Sequence, residues 1–179
     1  MGFRRQRSGA ERQLKRGVVL YRVQAVVIAS PHWTHRAIAE AAFAAGKPVF
    51  CEKPLGASLE DAKAMVAAAE ASGLPNMIGF NYVRTPATQF VRQLLADGVI
   101  GRVTWFRGEH TEDFLADPAL PATWRTTGRA NGCMGDLGMH VLHVPLRLGW
   151  RPDTVQASLV KRVTQRPDGK GGMAPCETW

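Results

Sequence analysis

Between residues 23 and 80 short apolar runs alternate with helix-like stretches, and the connections are too tight for much else. Val23-Gln-Ala-Val-Val-Ile-Ala29 is rich in β-branched residues and ends at Ser30-Pro31, which predicts a buried strand. Residues 34–45 read as an Ala-rich helix with Ile38 and Phe43 as bulky apolar positions, closed by Gly46. Pro48-Val-Phe-Cys51 is a second strand. Ser58 opens a second helix, with Asp61 as a capping-box-like partner, that runs to about Ser72 before Gly73 and Pro75. Asn76–Phe80 is a third strand. Strand, helix, strand, helix, strand in this rhythm predicts a parallel α/β sheet with crossover helices.

Ligands of such sheets bind beyond the carboxyl ends of the strands. Here those ends are Ser30-Pro31, Glu52-Lys53-Pro54 and Asn81-Tyr82, all of them polar. After residue 84 the pattern changes. Pro86–Asp97 reads as a helix stopped by Gly98, Arg102–His110 as an extended run and 111–132 as irregular. Gly135–Leu148 reads as a helix in which Pro145 implies a kink or an early stop, and Thr154–Thr164 alternates like a strand. Arg166–Gly172 is turn-like and resembles no finished domain. The expected division is a basic, disordered arm over 1–22, the C-terminal part of a nucleotide-binding sheet domain over 23–83, and an incomplete α+β domain over 84–179.

The net charge of +8 belongs mostly to that arm: seven basic residues stand there against Glu11 alone, leaving +2 for the rest. A solvated arm is expected, and a nucleic-acid partner is kept as an alternative acting through the arm. With 45 % hydrophobic and 21 % charged residues, the composition excludes collagen-like, disulfide-scaffold and wholly disordered chains. Cys51, Cys133 and Cys176 are odd in number and far apart, which suits a reducing, cytoplasmic setting. No apolar run is long enough to span a bilayer.

Three constellations carry chemistry. Lys53, at a strand end and held by Pro54, can place an ammonium on a substrate oxygen if it points into the strand-end crevice, with Glu52 beside it. The triplet alone also reads as a plain turn. Asp136 and His140 are four residues apart, so a helix sets them on one face, where a carboxylate orients an imidazole able to take a proton from an alcohol. A helix-start aspartate with a structural histidine is the alternative. Ser30 is small enough to let a flat ring approach, and His35 is either structural or a cofactor contact. Trp124-Arg125 reads as a rim or core anchor. Asp136, His140 and His143 lack a further ligand at standard spacing, so no metal is expected. Gly169-Lys-Gly-Gly-Met-Ala174 matches a dinucleotide fingerprint on paper but lacks a preceding strand and turn.

Val26–His35, Ala45-Gly46-Lys47 through Glu52-Lys53-Pro54, Gly79-Phe80-Asn81-Tyr82-Val83-Arg84 and Asp136-x-x-x-His140 occur in an order and at separations that resemble the Gfo/Idh/MocA family of nicotinamide-dependent sugar and inositol oxidoreductases, over roughly residues 23–165. The resemblance implies a partial Rossmann-type parallel sheet followed by part of an α+β substrate and oligomerisation domain. It implies Lys53, Asp136 and His140 as catalytic residues. It places Ser30, Pro31, His35, Glu52, Lys53, Asn81, Trp124 and Arg125 around a bound NAD or NADP. The implied reaction moves a hydride between a sugar, inositol or similar polyol and the nicotinamide, in full-length relatives that form homo-oligomers. The family's first strand and Gly-rich turn are missing from this reading, so the chain is expected to be truncated at both ends. A non-catalytic remnant unable to hold the dinucleotide is the rival expectation.

Overall fold

A computed structural model describes residues 23–128 and 131–178, and these form two compact units divided between Gly79 and Phe80. The basic arm expected over 1–22 lies outside the described residues.

The first unit is a three-stranded parallel sheet in the order β1 (Val26–Ile28), β2 (Val49–Cys51), β3 (Asn76–Ile78). The register aligns Val26 with Val49 and Asn76, and Ile28 with Cys51 and Ile78. The strands are shorter than the apolar runs that announce them. A 3-10 turn, His32–Thr34, leads into helix α1 (His35–Ala44), and α2 (Leu59–Ser72) follows β2. Ser58 caps α2 by accepting a hydrogen bond from the Asp61 amide at 3.1 Å, and Gly73 closes it at φ 62°, a left-handed conformation that a side chain would strain. The Asp61 carboxylate turns to Arg36 of α1 at 3.3 Å instead of completing a capping box.

The core of this unit is Ile28, Ile38, Ala39, Ala42, Val49, Cys51 and Met65, all contributed by one face of the sheet and the helices packed on it. Ala39 and Ala42, wholly buried, let α1 lie close to the strands. On the other face Val27, Phe50 and Met77 stand in register, with Val27 70 % and Met77 53 % exposed.

The second unit begins with a 3-10 turn, Asn81–Arg84, and α3 (Pro86–Ala96), which Thr85 caps through the Thr88 amide. A π-helical turn, Met134–Gly138, then runs into α4 (Met139–Arg147). Pro145 does not end α4, which continues two residues further before Leu148 N–H bonds the Val144 and Pro145 carbonyls. One expectation changes here. Thr154–Thr164 pairs with no strand among the described residues, because alternation reports which side chains share a face but not whether a ladder partner is present. The strands that do form are β4 (Gln165–Pro167) and β5 (Met173–Pro175), an antiparallel pair. The turn expected over Arg166–Gly172 is present at 168–172, and the first two residues of that stretch belong to β4. Asp168 holds that hairpin's turn by accepting from the Lys170 and Gly172 amides, which keep its carboxyl below the usual carboxylate range. The paper dinucleotide fingerprint is this turn, with Gly169 and Gly171 both at positive φ.

Buried Arg166 fastens the hairpin to the irregular stretch before α4, donating to the carbonyls of Leu115, Asp117 and Leu120. Truncating Ile28, which is almost fully buried, is expected to cost about 3 kcal/mol in an Ile28→Ala variant. Ser58→Ala, which removes only a cap, should cost about 1 kcal/mol. Urea unfolding midpoints of the two variants check the ratio.

Candidate active site

Parallel register brings the ends of all three strands to one edge of the first unit. The ladder runs one bond past each strand: Glu52 N–H donates to Ile28 O at 2.8 Å, and Gly79 N–H donates to Cys51 O at 2.8 Å. Beyond that point side chains replace backbone partners. The Glu52 carboxylate turns back on its own strand end, where Oε2 accepts from the Lys53 amide at 3.2 Å. It also lies against Gly79: a Cβ added there would sit 2.9 Å from Glu52 Oε1, so the close approach depends on glycine. The Lys53–Pro54 peptide is cis. The Ser30 hydroxyl pairs with that of Thr34 at 2.6 Å, and Thr34 donates to Pro31 O at 2.7 Å.

His35, expected to be either structural or a cofactor contact, takes the structural place. It is 1 % exposed. Its Nε2 lies 2.8 Å from Ser30 O and its Nδ1 2.9 Å from Pro54 O. With both ring nitrogens engaged by backbone carbonyls, neither is left to meet a cofactor group. Carbonyl oxygens only accept, so the neutral ring serves one of them at a time and the doubly protonated ring serves both.

In the second unit an aromatic and imidazole cluster surrounds His140, which is 7 % exposed. Tyr82 meets it edge-on with ring centroids 4.7 Å apart, and His110 stacks on it at 5.6 Å. Tyr82 also meets His110, and the Glu112 carboxylate holds His110 Nε2 at 3.0 Å. Phe80 stacks on His143 at 3.9 Å and meets His140 edge-on at 6.3 Å. Burial, and then nearby Arg147, push the His143 pKa down. Asp136, predicted to sit beside His140, accepts from Arg125 Nε at 3.1 Å, and the Arg125 guanidinium lies over the Trp124 ring at 4.2 Å. Asn81 is exposed at the start of its 3-10 turn.

His110 and Glu112 border a cavity of about 510 Å³, which Arg125, Asp136 and Arg166 also line. Neither His110, Glu112 nor Tyr82 was singled out as a catalytic or binding residue from sequence, because each lies some 25 to 60 residues from His140 and carries no spacing signal. Among the described residues no group of three His, Cys, Asp or Glu side chains is placed to hold a metal.

Two family models now account for both units. Residues 11–80 match the model described as "Oxidoreductase family, NAD-binding Rossmann fold", and residues 88–174 match "GFO/IDH/MocA C-terminal domain". The chain belongs to the Gfo/Idh/MocA family. The first match begins at residue 11, upstream of the position from which the sequence resemblance was read. Levoglucosan dehydrogenase of Pseudarthrobacter phenanthrenivorans is 38 % identical over 152 residues, covering 84 % of this chain and 39 % of the relative. D-Apiose dehydrogenase of Paraburkholderia graminis is 37 % identical over 119 residues, covering 66 % and 31 % respectively. A solved levoglucosan dehydrogenase in complex with NADH and L-sorbose has a TM-score of 0.85 at 35 % identity, over 91 % of this chain and 45 % of that one. The chain thus spans less than half the length of these relatives.

The strand-end groups fit one portion of a nicotinamide dinucleotide. An ammonium and a carboxylate on adjacent residues suit the hydroxyls of a ribose, the first as donor and the second as acceptor. Phosphates are held by amides of a Gly-rich turn at a helix start, and no such unit stands among the described residues.

Burial, and then the neighbouring Glu52 charge, push the Cys51 thiol up to about 12, so it stays protonated and inert at neutral pH. Mass spectrometry after iodoacetamide treatment at pH 8 is expected to find exposed Cys133 modified in the folded protein, and Cys51 and Cys176 only after unfolding. His143 titrates below its unfolded value of about 6.5, so the unfolded chain takes up that proton first. The stability it confers is therefore present above about pH 6.5 and lost as pH falls below that value. Urea midpoints at pH 7 and pH 5 should differ less in His143→Gln than in the wild type.

Proposed function

We propose that this chain carries part of an NAD(P)-dependent oxidoreductase that transfers a hydride between a hydroxyl-bearing carbon of a sugar, inositol or similar polyol and the nicotinamide. The observation that carries this reading is Lys53, fixed at the carboxyl end of the middle strand of a parallel sheet, in a chain that matches both domains of the family. The relatives named levoglucosan, D-apiose and inositol 2-dehydrogenase support the substrate class.

Lys53 would donate from its ammonium to the substrate oxygen and to a ribose hydroxyl, stabilising negative charge as it grows on that oxygen. Glu52 would accept from a ribose hydroxyl, and the Ser30-Pro31 turn would leave a flat ring room beside the sheet edge. His140 would take the hydroxyl proton as the C–O bond gains double-bond character, and return it in the reverse direction. Its ring plane is set by Tyr82, His110 and Phe80. Asp136 supplies a negative charge on the same helical segment while it holds Arg125. Asn81, Trp124 and Arg125 enter as cofactor contacts on the family resemblance alone. The nicotinamide, when bound, supplies hydride acceptance at a carbon, which no side chain can perform. A cytoplasmic location completes the reading, supported by the free Cys51, Cys133 and Cys176.

Fluorescence titration with NADH and NADPH, followed by turnover on a sugar and inositol panel, tests the proposal. In Lys53→Met and in His140→Ala, kcat should fall about 10²- to 10⁴-fold, with dinucleotide affinity falling far less. Equal losses in turnover and affinity would undo the roles given to the two residues. Absence of binding at millimolar dinucleotide would leave the non-catalytic remnant as the reading.

A further inference from the structure

The segment between β2 and α2 leaves the sheet after Glu52 and has no ladder to hold it, yet it carries Lys53. Three hydrogen-bond contacts at its start are described. Glu52 N–H donates to Ile28 O, the Lys53 amide donates to its neighbour's Oε2, and Pro54 O lies 2.9 Å from His35 Nδ1. The other ring nitrogen of His35 lies 2.8 Å from Ser30 O, at the end of the adjacent strand. With both ring nitrogens protonated, the imidazole donates to both carbonyls and is a spacer between two strand-end turns, 5 residues away on one side and 19 on the other. Its side chain is 1 % exposed. Lys53 stands between two anchored groups, its own N–H and the next residue's C=O. A lysine side chain has four flexible methylenes, so where its ammonium can reach depends on how firmly its Cα is held.

We propose that His35 is a positioning residue that sets Lys53 by joining the Ser30 and Pro54 turns when both ring nitrogens carry protons. The proposal rests on the function assigned above only in taking Lys53 as the working ammonium. It assigns His35 no contact with substrate or cofactor. A histidine that merely filled the core would stabilise the unit without affecting Lys53 more than any other lysine.

The test compares His35→Leu, which keeps bulk and removes both nitrogens, with His35→Gln, which keeps an amide donor. Reductive methylation of the folded chain, read by mass spectrometry, gives the labelling rate of Lys53 relative to Lys63 on α2 of the same unit. This ratio cancels general loss of stability. His35→Leu is expected to change the ratio by ~3-fold or more, the scale of one lost hydrogen bond, and His35→Gln to restore part of the change. If His35→Leu does not fold, His35→Gln should still show a smaller shift of the ratio. An unchanged ratio in the folded variants would overturn the proposal. Where the wild type turns over, His35→Leu should lower kcat ~10-fold with the dinucleotide KM held, and a loss confined to KM would also overturn it. A wild type without turnover removes the oxidoreductase reading, while the labelling ratio still decides the clamp.

Discussion

Parallel pairing of three short strands forces the chain to return to the same end of the sheet after each strand, and it therefore collects three turns at one edge. The register aligns Ile28, Cys51 and Ile78, so the residues that follow them are neighbours whatever their separation in sequence. At that edge the ladder runs out of backbone partners, and buried carbonyls and amides need side chains to satisfy them. Glu52 and His35 take that task. The polarity of the strand ends thus has a structural origin before it has a chemical one. The same side chains that complete the hydrogen bonding also fix the backbone that carries Lys53.

The core depends on how closely α1 can approach this sheet. Ala39 and Ala42 are wholly buried and present only methyl groups to the strands, while Ile38 and Met65 fill the space beside them. The packing is confined to one face. Parallel sheets usually bury both, and here Val27 and Met77 remain more than half exposed in register with Phe50. Apolar runs without alternation, such as Val26-Val27-Ile28, are the sequence signature of a strand expected to be covered on both sides.

The first unit was legible because its signals are local. β-Branched runs mark the strands, Ser58 and Gly73 mark the ends of α2, and the rhythm of elements dictates a parallel sheet. The second unit was legible only in its helices. Thr154–Thr164 alternates as a strand does, but ladder formation depends on a partner elsewhere, which alternation cannot reveal. The candidate residues show the same division. Lys53 and His140 stand in short motifs that sequence displays. The partners of His140 are not, because Tyr82 and His110 reach it through the fold. The sequence leaves His35 open between a structural and a cofactor role because its partners are carbonyl oxygens, which every residue has and no sequence displays.

Asp136 and His140 lie on one helical segment whose geometry is not uniform. Four residues apart on a regular α-helix, two side chains share one face. The helix is there, but Met134–Gly138 is a π-helical turn, in which i→i+5 hydrogen bonding shifts the angular phase of each residue. Gly138 closes that turn under the Met134 side chain, where a Cβ would come within 3.0 Å of the sulfur. The Asp136 carboxylate meets Arg125, whose guanidinium also lies on Trp124. The extra residue in the turn thus ties an aspartate of the helix to the loop before it. It also delivers His140, at the start of regular α-helix, into the cluster formed by Tyr82 and His110. A local break in helical phase allows one short segment to brace a loop with its carboxylate and present an imidazole to a separate set of aromatic neighbours.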